Sequence, residues 1–179
     1  MKNRQKELLE LLDRSGASLY ALLTRLTLRE DVAEELMQEL FIKLSNSRGW
    51  SKVNDWNAYA HRAAVNLAFD WRRKQKRTVL PLERIREPMS GENPTLRELI
   101  HMEELQETLN AIERLRRATR EALVMRYIQQ ESYDHIAEKL GKTEHHVRAM
   151  CSRALSQLRH LLGPNQSPSS KKEAQDVEN

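Results

Sequence analysis

The stretch SYDHIAEKLGKTEHHVRAMCSRALSQLRHLL, Ser132 to Leu162, decides the fold of this chain. Ser132 stands where it can cap a short helix whose inward residues are Ile136, Ala137 and Leu140. Gly141 then supplies the stop, because a positive φ is easily adopted there. Thr143 can cap the next helix, in which Val147, Cys151, Ala154, Leu158 and Leu161 recur at helical spacing as a buried stripe. The opposite face carries His145, Arg148, Ala149, Ser152 and Arg159, with Arg153 near its edge. A short helix, a glycine turn and a longer helix with a basic N-terminal half form a helix-turn-helix, and the second helix can enter a major groove. Arg148 can pair with a guanine edge or with a phosphate, and the pattern leaves both open. A solvated face of a generic bundle is the plainer alternative.

Working outward, the same periodicity continues through most of the chain. Leu8, Leu12, Leu19, Leu22, Leu23 and Leu26 predict a helix over Lys6 to Leu28, with a possible break at Ser15-Gly16. Thr27 and Glu30 have the spacing of a capping box for a second helix reaching Leu44, with Val32, Leu36, Leu40 and Leu44 on one line and Met37 and Phe41 beside it. A loop over Ser45 to Asn54 leads to a third helix from about Asp55 to Arg77. Further helical pattern runs from Thr95 to Arg117, Thr119 to Gln129, Ser132 to Leu140 and Thr143 to Leu162. Pro81, Pro88, Gly91 and Pro94 interrupt every helix between Thr78 and Leu96. The expected fold is therefore all-α, with two small helical domains, 1–78 and 97–162, joined by a linker at 79–96 and followed by a disordered tail at 163–179; the C-terminal domain is the helix-turn-helix.

Composition agrees with that reading and excludes several classes. Charged residues make up 31% and aromatics 5%, with only five Gly and five Pro, which favours helices over hairpins. The net charge of +4 suits a polyanion partner but is shared by many unrelated proteins. One cysteine, Cys151, cannot form an intrachain disulfide or a cysteine-rich metal site, and on the buried stripe it is a packed thiol. The adjacent His145 and His146 point roughly 100° apart on a helix, which is wrong for shared ligation, so no metal is expected. No phosphate-binding glycine loop and no nucleophile with a base are present, so no catalytic residue and no cofactor are expected. The leucines at the start are interrupted by charges, and no apolar run approaches the roughly 20 residues that span a bilayer, which predicts a cytoplasmic protein without membrane insertion.

Two N-terminal features suggest partners. The third helix ends in WRRKQKR, where Arg72, Arg73, Lys74, Lys76 and Arg77 can grip a phosphate backbone or simply complement the helix dipole. Trp50, Trp56, Tyr59 and Trp71 lie within or just before it, and aromatic faces beside cations suit unstacked bases; Tyr59 and Trp71 are expected to be partly buried, leaving Trp50 and Trp56 as the better candidates. The second helix instead exposes Glu35, Gln38 and Glu39 beside Phe41, an acidic face unsuited to DNA and suited to a protein.

Taken in order, these segments resemble the sigma-70 family, in its small extracytoplasmic-function subfamily. DVAEELMQELFIKL (Asp31 to Leu44) is similar to the segment that binds the polymerase clamp; NAYAHRAAVNLAFDWRRKQKR (Asn57 to Arg77) to the one that melts and reads the minus-ten element; and REALVMRYIQQESYDHIAEKLGKTEHHVRAMCSRAL (Arg120 to Leu155) to the domain that binds the minus-thirty-five element. The resemblance implies polymerase-binding roles for Asp31, Glu35, Gln38 and Phe41. It implies minus-ten contacts for Asn66, Asp70, Arg72 and Arg73, alongside Trp50 and Trp56. It implies minus-thirty-five contacts for Arg148 and Arg153, in a recognition helix that also presents His145, His146 and Ser152 and is capped by Thr143. The implied function is a sigma factor that brings core RNA polymerase to promoter DNA and helps melt it, commonly under an anti-sigma factor; the alternative is a helix-turn-helix regulator that is not a polymerase subunit. The sequence departs from the family pattern at Val65, where an Arg often precedes the Asn, at Leu115-Arg116 in place of Leu-Pro, and at Met150, where a basic residue is common.

Overall fold

The computed structural model describes residues 2–47, 53, 55–78 and 96–163, and all seven elements among them are helices: α1 (Lys2–Thr27), α2 (Glu30–Asn46), α3 (Trp56–Thr78), α4 (Leu96–Glu113), α5 (Arg117–Tyr127), α6 (Tyr133–Leu140) and α7 (Glu144–Leu162). The expected linker and tail, and Trp50, lie outside the described residues apart from Leu96 and Gly163.

Helix α1 runs without interruption through Ser15 and Gly16. Nothing lies within 4 Å of where a Cβ on Gly16 would stand, so the glycine relieves no crowding and the expected break does not form. The serines beside it face α3 instead: the Ser15 hydroxyl donates to Asn57 Oδ1 at 2.9 Å, and Ser18 Oγ lies 3.3 Å from His61 Nε2. Thr27 does not cap α2. It is the last residue of α1, fully buried, and its hydroxyl lies 2.8 Å from Leu23 O and 2.9 Å from Arg29 O, so the helix beginning at Glu30 has Arg29 as its N-cap with no side-chain cap bond. The turn between them places Leu28 at φ 59°. Asp55 performs the capping at α3, accepting from Ala58 N at 2.9 Å.

Helix α3 is the centre of the molecule. From Ala63 through Phe69 every residue is buried, because α1 and α2 cover one side while α5 packs on another. Ala60, Ala63, Ala64 and Ala68 let the neighbouring helices approach closely, and Val65 and Phe69 fill the remaining space at zero exposure. One apolar cluster joins Leu19, Leu23, Leu26, Leu40 and Phe69 to Leu109, Ile112, Leu123 and Leu158 from α4, α5 and α7, so the core is continuous across the two halves. A second, smaller cluster of Ala122, Met125, Ile136, Ala137, Val147, Met150 and Cys151 holds the helix-turn-helix together.

In that motif Gly141 adopts φ 61°, as its position requires, and Lys142 N reaches back to Ala137 O at 2.9 Å. Thr143 caps α7, accepting from His146 N at 3.3 Å, whereas Ser132 makes no cap bond to α6. Helix α4 ends at Glu113, short of the expected Arg117, because Arg114 and Leu115 close a tight turn with N–H donations to Ala111 O and Ile112 O at 3.1 Å. That turn forms without a proline at Arg116. Gly141→Ala is expected to lower stability by about 1 kcal/mol, since a Cβ there meets no neighbour and only the left-handed backbone is penalised. Thermal unfolding should show a Tm decrease of roughly 2–4 °C for this chain length.

Candidate nucleic-acid and protein-docking surfaces

Helix α7, the second helix of the helix-turn-helix, presents Thr143, His145, His146, Arg148, Ser152 and Arg153 to solvent from its N-cap through its first three turns. Arg148 is held in place: its Nε and Nη2 donate to Glu144 Oε1 at 2.9 and 2.6 Å, and its guanidinium lies 4.5 Å from the centre of the Tyr133 ring. Arg126 lies over the same ring, also at 4.5 Å, and donates to Glu131 O at 2.8 Å. Two cations on one aromatic ring fix the start of α6 against α5 and α7. Met150, one of the departures from the family pattern, is 6% exposed and packs inward, so the position is part of the core rather than of the basic face. Cys151 is buried beside it, and burial pushes its thiol pKa up.

Next to α7 lies a cleft of about 710 Å³ lined by Arg114, Arg116, Lys142, His146 and Arg153, with Thr119 and Gln157. Arg114, Arg116 and Lys142 extend the basic surface beyond α7. The run Arg114-Leu-Arg-Arg117 was a signal for them in the sequence, but an α4 extended to Arg117 hides the turn that brings Arg114 and Arg116 to the cleft.

The basic helix α3 is differently disposed. Arg73 pairs with Asp70, and both are half-exposed. Trp56 meets Tyr59 edge to face at 5.3 Å, and both are half-buried, as is Trp71. Trp71 lines a cleft of about 290 Å³ between α2 and α3, together with Glu39, Lys43, Asp70, Arg73, Lys74 and Arg77. Asn66 and Arg72 are only 6% and 3% exposed. Arg72 donates to Leu26 O at 3.3 Å, Gln106 O at 3.4 Å and Asn110 Oδ1 at 2.9 Å. Asn66 Nδ2 donates to Glu121 Oε1 at 2.7 Å, and its Oδ1 accepts from Arg120 Nη2 at 3.1 Å. The same carboxylate accepts from Arg62 Nε and Arg117 Nε at 3.0 Å each. Arg120 lies 4.8 Å over the Phe69 ring. These contacts turn the inner face of α3 toward α4 and α5.

On α2, Asp31, Glu35 and Gln38 are exposed on the side away from α1, and Phe41 is 39% exposed. Ile42 beside it is 57% exposed, an apolar member of this face that the leucine stripe did not single out. The Asp31 carboxyl is held below the usual carboxylate range by its hydrogen bond from Arg29. Among the described residues, no group of three or more His, Cys, Asp or Glu is gathered as metal ligands would be, and no helix is long and apolar enough to cross a membrane.

A sigma-70 region 2 model matches residues 11–78, and a sigma-70 region 4 model matches residues 105–158. The ECF RNA polymerase sigma factor SigE of Mycolicibacterium smegmatis is 30% identical over 162 residues, covering 88% of this chain and 62% of its own length. The chain thus spans 62% of that relative. Among solved structures, CnrH in complex with the cytosolic domain of CnrY superposes with a TM-score of 0.52 at 19% identity, over 90% of this chain and 91% of that one, a likeness of fold. The sigma factor RpoE from Bartonella quintana, solved with the anti-sigma factor NepR, matches with a TM-score of 0.47 at 23% identity over 93% of this chain and 100% of that one.

His61 joins α1 to α3 through its Nε2, 3.3 Å from Ser18 Oγ, while its Nδ1 lies 3.0 Å from Asn57 O on its own helix, and burial holds its pKa below the ordinary value of 6.5. Below that value the unfolded chain takes up a proton that the folded chain resists, so stability falls as pH drops from about 6.5 toward the lower folded pKa. Urea midpoints should decrease from pH 7.5 to pH 5.5, and His61→Gln should flatten the part of the slope that this residue causes.

Proposed function

We infer that this chain, which belongs to the sigma-70 family, acts as an extracytoplasmic-function-type sigma factor, a cytoplasmic subunit that docks on core RNA polymerase and directs it to promoters. The observation that carries the inference is the ordered pair of family segments, 11–78 and 105–158, with an acidic apolar-edged helix in the first and a capped recognition helix in the second. A plain helix-turn-helix regulator has no need of the first segment.

In this proposal residues 1–78 form the polymerase- and minus-ten-binding unit, and 97–162 form the minus-thirty-five-binding unit. Asp31, Glu35, Gln38, Phe41 and the neighbouring Ile42 make the polymerase contact: an apolar centre with an acidic rim that steers a basic surface. His145, His146, Arg148, Ser152 and Arg153 face the upstream duplex, with Arg148 oriented by Tyr133 and Glu144 for base or phosphate contact. The cleft residues Arg114, Arg116 and Lys142 bind flanking phosphates. Downstream, Asp70, Arg73 and Trp56, with Asn66, Arg72 and Trp50, engage the opened strand. Unstacking costs a few kcal/mol per step, which captured bases and phosphate contacts offset. The chain contributes no catalytic residue; the polymerase performs nucleotide addition. An anti-sigma protein is a further partner in the same proposal.

The test is run-off transcription with purified core polymerase on DNA selected by this chain. Promoter-specific transcripts that require the chain are expected; tight duplex binding by the chain alone, with no effect on polymerase specificity, would indicate a plain regulator. Arg148→Ala should weaken upstream-element binding by about 1–3 kcal/mol if the residue reads a base. Glu35→Arg should reduce polymerase binding in a pull-down while leaving duplex binding by the C-terminal helices intact.

A further inference from the structure

The guanidinium of Arg148 is held on two sides. Its Nε and Nη2 both donate to Glu144 Oε1, and it lies over the Tyr133 ring, which belongs to the preceding helix. A Glu–Arg pair one turn apart is common on solvated helices and contributes little there. The ring makes this pair different, because it fixes the cation from outside its own helix. What stays open is specific. Among the described residues no hydrogen bond engages Arg148 Nη1 or Glu144 Oε2, and the two side chains are 59% and 48% exposed. The Nη1/Nη2 end of the guanidinium is therefore a free two-donor fork, and the second carboxylate oxygen is a free acceptor.

Charge decides between base and phosphate. Arg114, Arg116, Lys142 and Arg153 line the cleft beside α7, and no acidic side chain lines it with them, so that surface attracts a polyanion. Glu144 and Arg148 together carry no net charge. The carboxylate repels a phosphate brought to the same guanidinium, whereas base edges offer acceptor pairs and amino donors without charge. Position agrees, since Glu144 is the first residue of α7 and Arg148 stands one turn further, in the part of such a helix that reaches base edges. Four residues advance along a helix by about 6 Å, just under two base-pair steps of roughly 3.4 Å.

We propose that Glu144 and Arg148 are one base-reading unit: the Nη1/Nη2 end of Arg148 donates to O6 and N7 of a guanine, and Glu144 Oε2 accepts from the N4 amino group of a cytosine in another pair one or two steps away. Tyr133 is its positioning residue. The proposal rests on the reading of α7 as the helix that enters the upstream duplex. Because the guanidinium is already oriented in the free chain, little side-chain freedom is lost on binding. Discrimination follows from the same rigidity. An adenine turns its N6 donor toward the fork, and a thymine or guanine in the second pair sets an acceptor oxygen against the carboxylate, so each wrong base leaves a polar group unpaired or opposed.

The experiment selects binding sites from a duplex with a randomised upstream segment, using the full chain bound to core polymerase and, in parallel, the full chain alone. The enriched sequences should hold two G·C pairs no more than two steps apart. Arg148→Ala should release the preference at one of them, and the double variant Glu144→Ala, Arg148→Ala, which keeps the net charge, should release both while the other positions stay enriched. The double variant's affinity for the selected duplex should fall about 10- to 100-fold with the slope of log affinity against log salt unchanged. Arg116→Ala, by contrast, should lower that slope by about one and spare the base preferences. Tyr133→Leu should weaken the guanine preference and Tyr133→Phe should keep it, since it is the ring that meets Arg148. Unchanged helicity by circular dichroism verifies the folding of each variant. A loss spread evenly over all positions, a lower salt slope in the double variant, a second pair indifferent to Glu144, or no enriched G·C pair in either arm would each overturn the reader. Run-off transcription reports separately on the sigma reading: promoter-specific transcripts whose base preferences ignore Glu144 and Arg148 would retain that reading and remove only this one.

Discussion

Glu121 is a carboxylate almost wholly withdrawn from water, and the arrangement of the two halves follows from what it demands. A charge in that position is tolerated only with full hydrogen bonding, and the chain supplies three donors: Arg62 and Asn66 from α3, and Arg117 one turn earlier on its own helix. Removing one donor leaves part of a buried charge unsatisfied, on the order of 3 kcal/mol where the partner is itself buried, as Asn66 is. Arg117 is largely exposed and contributes far less. The pairing thus ties α5 to α3. The apolar contacts around it, with Phe69 beneath Arg120, exclude the water that would screen it.

The same interaction marks the limit of what the sequence discloses. Periodicity located all seven helices of the described residues, and the motif spanning Ser132 to Leu162 was legible because its parts are local: a positive-φ glycine, a threonine cap and an apolar seam close together in sequence. Where local chemistry was ambiguous the reading slipped. Thr27 has the spacing of a capping residue, but its hydroxyl is taken by Leu23 O and Arg29 O inside the α1–α2 corner. Ser15-Gly16 looks like a break, yet the serine serves a cross-helix bond and the helix continues. The burial of Asn66 and Arg72 had no local signal at all. Besides Arg62 O and Leu26 O, their partners lie 34 to 55 residues further on, across the proline-rich segment, and no window that detects a helix sees that far.

This division bears on how the surfaces are distributed. The acidic face of α2 and the basic face of α7 are both open to solvent, so the protein and the duplex of the proposed function would meet them without internal rearrangement. The inner side of α3 is closed, and it belongs to the helix whose proposed task is performed only after DNA has been opened.

The single thiol of the chain has a consequence of a different sort. Cys151 lies on the buried seam of α7, 1% exposed, with burial disfavouring its thiolate. Peroxides, electrophiles and disulfide-exchanging thiols all react with the thiolate, so the residue is shielded from each by both access and ionisation. The thiol is therefore chemically quiet, and it offers oxidants no handle on the seam that packs α7 against α5 and α6.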